Sequence, residues 1–257
     1  MLRFKSLGSG SSGNATVVQA RSGSTTSHLL VDCGLGIRQL DKRLGQAGML
    51  AEQIDAIFIT HEHADHIGCA RSLALRERIP VWMSEGTWLG LGQPDFDGLL
   101  RIAGDSASFE VGALQVRPFT VPHDAREPLQ LACTDGATQL GVLTDLGHAT
   151  AHVLEQLAGC ATVLLECNHD PQLLQGGSYP WFLKKRVAGD WGHLANEEAA
   201  AIAQALLGRG LRQVVAAHLS EQNNRPELAR AALEAALGTA VEVHIADGPS
   251  GSGWLAA

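Results

Sequence analysis

Several short apolar segments of this sequence end in an aspartate or a histidine. Leu29–Asp32 ends in a carboxylate, and Asp55–Thr60 (DAIFIT) is followed at once by His61. Two later apolar segments lead into Asp145 and His218. Short apolar runs of this kind are typical of buried strands, and polar residues in the loops after strands often form sites. The pattern predicts a site assembled from loops at strand ends.

Predicted strands alternate with predicted helices, which indicates a layered α/β protein. Asn196, followed by two glutamates, resembles a helix N-cap, and Pro80 stops an earlier helix. We find no fixed-period repeat and no linker-like stretch, so we expect one domain over residues 1–257. The predicted strands are Arg3–Leu7, Ala15–Ala20, Leu29–Asp32, Asp55–Thr60, Val81–Ser84, Leu114–Val121, Gln139–Thr144, Thr162–Glu166, Gln213–Ala217 and Val241–Ile245, and the predicted helices are Ile37–Leu44, Ile67–Arg78, Asn196–Leu207 and Pro226–Leu237.

The composition excludes several classes of protein. The chain is 45% hydrophobic and 18% charged, and no apolar run approaches the roughly 18 residues needed to cross a bilayer. We therefore expect no membrane partner. Its five cysteines are far apart and include no C-x-x-C pair, so we expect the reduced cytoplasm. The net charge of −8 disfavours a protein that coats nucleic acid. Any contact with nucleic acid should be local, at an end or a short single strand.

The densest cluster of candidate ligands is the segment H-E-H-A-D-H at residues 61–66. His61 and His63, separated by one residue, can both point into one cavity. Asp65 and His66 can point in a second direction. Imidazole and carboxylate suit Zn²⁺, Mn²⁺ or Fe²⁺, so the segment predicts a metal site without choosing the metal. The alternative is a solvated polar loop, but this pattern rarely arises by chance.

This order of motifs resembles the metallo-β-lactamase superfamily of metallohydrolases. The resemblance begins at Asp32 in V-D-C-G and continues through residues 61–66 to His218 in A-H-L-S. It implies a four-layer αββα sandwich with two metal ions, in which Asp32 supports the metal loop. The ligands it implies are His61, His63 and His123 for one metal, and Asp65, His66 and His218 for the other, with Asp145 bridging both.

Each later residue also has a simpler interpretation when it is considered alone. A single histidine such as His123 or His218 at a strand end is more often capped or solvent-facing than a ligand. A lone Asp145 would usually serve a turn. Their order after residues 61–66 favours the metal site over these alternatives.

The resemblance also implies the chemistry. Two metal ions would hold a bridging hydroxide as the nucleophile, because coordination lowers the pKa of water from ~16 to about 7. Phosphodiesterases, glyoxalase II-like thioesterases and lactonases of the superfamily keep a bridging aspartate, and its β-lactamases generally lack one. Asp145 therefore disfavours an antibiotic hydrolase.

Three further segments resemble the YycJ/WalJ-like branch of the superfamily, which is associated with 5′-to-3′ exonuclease activity on DNA. They are S-G-S-S-G-N at residues 9–14, E-C-N-H-D at residues 166–170 and G-H-L-A-N at residues 192–196. The G-H motif before an Ala-rich helix is also similar to tRNase Z. This similarity implies that His193 contacts the scissile phosphate or protonates the leaving oxygen. The implied catalytic residues are Asp65, Asp145 and His193.

Several residues are candidates for contact with the substrate. The Ser/Gly loop could place backbone N–H groups against a phosphate, with a flexible turn as the alternative. The basic cluster Lys184–Arg186 could hold a 5′-phosphate, or could be a solvated face. For His169 and His193 considered alone, an ordinary polar loop is the alternative. The candidate substrate contacts are Ser11, Ser12, Asn14, His169 and Lys184.

The sequence therefore predicts a dinuclear hydrolase of phosphodiester bonds, acting 5′-to-3′ on a single-stranded DNA end. Two divalent ions, Zn or Mn with Fe possible, are the expected cofactors. One alternative is a small-molecule hydrolase on the same site: a cyclic phosphodiesterase, a lactonase or a glyoxalase II-like thioesterase. A catalytically silent scaffold is the other, and the seven candidate ligands disfavour it. The oligomeric state stays open.

Overall fold

The computed structural model describes residues 1–246, 248 and 250–257. In this part of the chain, the strands form two seven-stranded sheets. The first sheet has the order β14-β1-β2-β3-β4-β5-β6, and the second has the order β13-β12-β11-β10-β9-β8-β7. The strands are β1 (Leu2–Gly8), β2 (Ala15–Ser22), β3 (Thr25–Val31), β4 (Ala56–Phe58), β5 (Val81–Met83), β6 (Leu100–Ile102), β7 (Phe109–Val111), β8 (Leu114–Thr120), β9 (Leu129–Thr134), β10 (Gln139–Leu143), β11 (Thr162–Glu166), β12 (Gln213–Ala217), β13 (Glu242–Ile245) and β14 (Leu255–Ala256).

Both sheets are mixed, with an antiparallel half and a parallel half. In the first sheet, β14 to β3 pair antiparallel and β3 to β6 pair parallel, with Leu30 opposite Ile57. In the second sheet, β7 to β10 pair antiparallel and β10 to β13 pair parallel, with Leu164 opposite Val215. β8 and β10 are both antiparallel to β9 and so run in the same direction. The loops after β8, β10, β11 and β12 therefore emerge at one edge of their sheet.

Alternating side chains place the two sheets face to face. In β4, Phe58 belongs to the core between the sheets, whereas Ile57 belongs to the core on the outer face. Leu131 and Val215 contribute to the central core from the second sheet. Buried helix residues complete both outer cores, so the layers follow the order αββα. The four-layer arrangement implied by the resemblance is confirmed.

Helices cover the outer face of each sheet. Apolar residues of α1 and α3 pack on the first sheet, and those of α5, α8 and α9 pack on the second. No helix in the described residues combines the length and apolar character needed to cross a membrane. The helices are α1 (Ile37–Gln46), α2 (Ala64–Ile67), α3 (Ala70–Glu77), α4 (Glu85–Gly90), α5 (Ala151–Gln156), α6 (Pro171–Gly176), α7 (Trp181–Val187), α8 (Asn196–Leu207) and α9 (Pro226–Leu237), with a 3₁₀ turn at Ala51–Gln53.

Two predicted helix features are wrong. The helix predicted over Ile67–Arg78 begins three residues later, as α3 at Ala70, and Ile67 is instead the last residue of α2. Gly68 separates the two helices, because it has a φ of 30° and lies against the backbone of Cys33. Asn196 is the first residue of α8 and not its N-cap, which is Ala195. The Asn196 side chain instead exchanges hydrogen bonds with Asn224, at 2.8 and 2.9 Å.

Candidate metal centre

Three of the predicted site residues adopt a left-handed backbone conformation. Asp32, Asp145 and His218 have φ values of 59°, 53° and 54°. Asp32 and His218 directly follow β3 and β12, and Asp145 lies two residues after β10. This conformation is uncommon for residues other than glycine and costs of order 1–3 kcal/mol. The surrounding fold holds all three in it, and their side chains meet at one site.

One group of possible ligands consists of His61, His63 and His123, whose ligating atoms lie within 4.8 Å of one another. His61 Nε2 lies 3.0 Å from His63 Nδ1, and His123 Nε2 lies 3.4 Å from the same atom. Two of these residues come from the loop between β4 and α2, and His123 comes from the loop after β8. The two sheets thus each contribute to this group.

A second group consists of Asp65, His66 and His218, again within 4.8 Å. Asp65 Oδ2 lies 3.7 Å from His66 Nε2 and 3.6 Å from His218 Nε2. Asp65 and His66 belong to α2, where a short helical turn directs both side chains to the site.

Asp145 lies between the two groups. Its Oδ2 is 3.1 Å from His66 Nε2, and its Oδ1 is 4.0 Å from His123 Nε2. It also forms part of a ligand cluster with His61 and His66. The sequence places a bridging aspartate here by resemblance, and the geometry brings Asp145 within reach of both groups.

Three of the imidazoles are anchored through Nδ1. Asp32 Oδ2 lies 2.7 Å from Nδ1 of His66. The carbonyl oxygen of Gly192 lies 3.0 Å from Nδ1 of His123, and Glu166 Oε1 lies 3.0 Å from Nδ1 of His218. Such contacts fix the tautomer and ring orientation of metal-binding histidines and leave Nε2 as the ligand atom.

The buried polar atoms of the centre fit divalent metal ions. Asp145 Oδ2 and His218 Nε2 are buried, yet neither forms a hydrogen bond of suitable geometry, although Asp145 Oδ2 lies 3.1 Å from His66 Nε2. A buried polar atom without a partner costs free energy unless something else satisfies it. Imidazole and carboxylate clusters are suitable ligands for zinc, manganese and iron. The His and Asp clusters thus indicate divalent metal binding, and the donor set does not select one metal.

The charges of the centre keep its carboxylates ionised. Burial alone would raise the pKa of Asp145, but the imidazoles of His218 and His66 hold it well below its usual value. Burial would lower the pKa of His218, but Asp145, Asp65 and Glu166 raise it to about 10. An ionised carboxylate is the form that ligates a metal, and metal binding would displace the proton from the imidazole.

Glu166, at the end of β11, is a buried acceptor that the site prediction lacks. Its Oε1 lies 2.8 Å from Nδ1 of His193, and its Oε2 accepts hydrogen bonds from the backbone N–H groups of Leu146 and Leu194. Burial alone would raise the pKa of Glu166, but His193 and His218 lower it to about 2. The carboxylate thus fixes two imidazoles and two loops of the site.

The centre opens into a cavity of about 330 Å³. His193 lines this cavity beside Asp145, and its side chain is 23% exposed. Burial lowers the pKa of His193, but the charge and hydrogen bond of Glu166, together with the charge of Asp145, raise it above its usual value. The predicted catalytic residues Asp65, Asp145 and His193 thus face one cavity.

The structure separates the predicted substrate contacts into two sets. Ser11 lines the cavity, and Asn14 Nδ2 lies 3.0 Å from His66 Nε2. Ser12 is exposed and lies outside the cavity lining. His169 is buried outside the cavity, and Lys184 donates to the carbonyl oxygen of Gln175. From the basic cluster, Arg186 is the residue that lines the cavity.

The fold and the site define a metal-dependent hydrolase of the β-lactamase superfamily. Residues 27–219 match the family described as "Beta-lactamase superfamily domain", so the chain belongs to that superfamily. Within it, the chain belongs to the YycJ/WalJ-like branch. It is 33% identical to "Exodeoxyribonuclease YycJ" of Bacillus anthracis, over 96% of both chains. It is 31% identical to "Exodeoxyribonuclease WalJ" of Streptococcus pneumoniae, over 95% of this chain and 93% of that protein.

The fold is similar to that of solved metallo-β-lactamase proteins. The metallo-β-lactamase fold protein YhfI from Bacillus subtilis superposes with a TM-score of 0.74, over 98% of both chains, at 19% sequence identity. At this identity, the likeness shows the shared fold alone.

Proposed function

We propose that this chain is a dinuclear metal-dependent exonuclease that removes nucleotides from the 5′ end of single-stranded DNA. The observation that carries the proposal is the position of Asp145 between two groups of ligand atoms, on a cavity that His193 also lines. The names of the two curated relatives, which match over nearly the full length, support DNA as the substrate.

Different residues of the site have different roles in the proposed hydrolysis. When bound, the two metal ions would supply a hydroxide nucleophile at neutral pH and neutralise the charge that develops on the phosphate. Asp145 and the histidines hold the ligand atoms in place before the substrate arrives. His193 keeps Nδ1 on Glu166, which leaves Nε2 available to the substrate. As the P–O bond to the leaving group breaks, Nε2 donates its proton to the leaving oxygen.

The size of the cavity favours attack at a chain end. At about 330 Å³, it lies at the lower limit of ligand pockets and suits one small unit rather than a folded nucleic acid. The same observation favours a second candidate, hydrolysis of a small phosphodiester such as a cyclic nucleotide.

The test uses a single-stranded DNA with a 5′-phosphate and a 3′-label, incubated with the protein and Mn²⁺ or Zn²⁺. We expect a descending ladder of labelled fragments, which Asp145→Ala abolishes and the exposed Asp97→Ala leaves unchanged. A 5′-label should appear first as a mononucleotide. Intact DNA together with hydrolysis of a cyclic nucleotide would establish the second candidate and overturn the first.

A further inference from the structure

Three exposed aromatic side chains are close in sequence to residues that line the cavity of the metal centre. Trp181 and Phe182 begin α7 and are 70% and 68% exposed, and Trp191, two residues before His193, is 61% exposed. In the described residues, these are the aromatic members of the exposed large hydrophobic side chains. An aromatic side chain can bury 150–250 Å² against a partner, so their concentration in one segment indicates a contact surface.

Helix α7 connects this surface to the cavity. Leu183, Arg186 and Val187 line the cavity together with the residues of the metal centre. Phe182 lies four residues before Arg186, which places the two side chains on the same face of the helix. Trp181 and Phe182 are thus on the helix that contributes to the cavity lining.

The same helix carries positive charge. Lys184, Lys185 and Arg186 are consecutive, and α7 contains no acidic residue, although the whole chain has a net charge of −8. Lys185 Nζ lies 5.6 Å from the centre of the Trp181 ring. Arg186 Nε is 2.5 Å from Asp124 Oδ2, which holds the guanidinium at the cavity rim. The local charge is complementary to a polyanion.

We propose that α7 binds the single-stranded DNA that extends from the cavity, with bases stacked on Phe182 and Trp181 and backbone phosphates beside Lys184 and Lys185. The Lys184 ammonium gives one N–H group to the carbonyl oxygen of Gln175 and keeps two for a phosphate. This inference rests on the proposed function and adds the residues that select an unpaired strand. Aromatic faces combined with cations are the features by which proteins hold single strands without reading their sequence. A base within a duplex is already stacked on its neighbours, so the surface should favour single strands.

The first experiment measures binding separately from cleavage. Anisotropy of a fluorescent phosphorothioate oligothymidylate, which resists hydrolysis, is followed with the metal-loaded protein. We expect Phe182→Leu and Trp181→Leu to weaken binding roughly tenfold each, as loss of base stacking does. Phe182→Tyr should restore it. Ile102→Ala, which removes an exposed apolar side chain from β6, is the matched control. Equal affinity of all these variants would overturn the inference.

A second measurement tests the charges and the preference for single strands. Lys184→Gln together with Lys185→Gln should reduce the slope of log K against log salt by about 0.7 for each backbone phosphate that the lysines neutralise. A blunt duplex should bind more weakly and respond little to Phe182→Leu. A duplex that binds equally well and is equally sensitive to Phe182→Leu would contradict the stacking role.

The outcomes separate this inference from the proposed function. Binding that depends on Trp181 and Phe182, without any cleavage of DNA, would support the role of α7 and contradict the proposed nuclease activity. Wild-type cleavage and binding by all α7 variants would support the nuclease activity and contradict the role of α7. If the wild-type protein instead dimerises through Trp181 and Phe182 in light scattering, or sediments through them with anionic lipid vesicles, the surface has another occupant and the inference is overturned.

Discussion

Glu166 Oε1 lies 2.8 Å from Nδ1 of His193, and the same oxygen lies 3.0 Å from Nδ1 of His218. One buried carboxylate thus joins a histidine at the cavity to a histidine of the candidate metal centre. Its other oxygen accepts two backbone N–H groups, so the residue serves only as an acceptor. A side chain that also donates cannot make all four contacts.

Replacing Glu166 by glutamine should therefore disturb the centre without a large change of shape. The amide NH₂ would face N–H donors whichever way it turned, so His193 or the loops at Leu146 and Leu194 would move. We expect metal affinity or turnover to fall about 10- to 100-fold. Metal titration and steady-state kinetics measure the two quantities. Glu155→Gln, exposed on α5, is the control, and wild-type values for Glu166→Gln would contradict the positioning role.

His193→Ala should reduce turnover while the metal content stays unchanged. A general acid contributes typically 10²- to 10⁴-fold to the rate, and kcat should fall by about that factor. His148→Ala, which removes a nearby exposed histidine, should leave kcat unchanged. Metal analysis after gel filtration decides the interpretation, because loss of metal together with turnover would make His193 a ligand rather than an acid.

The sequence points to the candidate ligands because residues 61–66 form one motif, and because Asp145 and His218, like the supporting Asp32, come at or just after strand ends. Their division between two metal ions follows from the family resemblance and stays a prediction. Glu166 also stands at a strand end, since it is the last residue of β11. Its partner His193, however, is 27 residues away in sequence. Such a distant contact leaves no local pattern, so its role was missed.

Elements with a clear apolar or periodic pattern have the bounds that the sequence predicts, as in β11, β12 and α9. Four strands of the structure are absent from the prediction. β6 and β7 have three residues each and β14 has two, too few to show alternation, and β9 (Leu129–Thr134) is the fourth. Asn196 was assigned as an N-cap from local propensity, but its contact with Asn224 is tertiary. The expectation of one domain over residues 1–257 stays a prediction.

Metal stoichiometry should follow the two ligand groups. We expect the wild-type chain to retain two divalent ions after loading with Zn²⁺ or Mn²⁺. His123→Ala and His218→Ala should each retain about one, since each removes a ligand from a different group. Asp145→Ala affects both ligand groups, so this variant should bind neither metal ion tightly. Elemental analysis after gel filtration measures the content, and a single ion in the wild-type protein would contradict the dinuclear centre.

Gly34 should tolerate no side chain, because it lies beneath the segment that carries Asp65. A Cβ on Gly34 would overlap the carbonyl group of Asp65, which accepts a hydrogen bond from the N–H of Asn14. We expect Gly34→Ala to destabilise the protein by about 1–3 kcal/mol and to weaken metal binding. Gly36→Ala is the matched control, since Gly36 has open space around it and a φ of −66°. Urea denaturation and metal titration compare the two, and equal effects would contradict the steric argument.

Protonation of His28 should destabilise the fold at a place remote from the metal ligands. Its side chain is buried in β3, where Nδ1 lies 2.9 Å from the carbonyl oxygen of Gln53 and Nε2 lies 2.6 Å from the amide nitrogen of Gln19. Gln19 Oε1 accepts from Arg3, so this amide must donate to Nε2. A proton on Nε2 would place two donors against each other.

Burial lowers the pKa of His28 below 6.5, although the hydrogen bond to the carbonyl oxygen of Gln53 acts in the opposite direction and raises it. Above pH 6.5, neither the folded nor the unfolded chain protonates this group, and its contribution to stability is complete. As the pH falls below 6.5, the unfolded chain takes up the proton first, so stability decreases by up to about 1.4 kcal/mol per pH unit until the folded pKa is reached. Urea denaturation of the wild-type protein and His28→Gln at pH 7.5 and pH 5.5 measures this. The wild-type protein should lose more stability than the variant, whereas equal losses would show that His28 is not the group responsible.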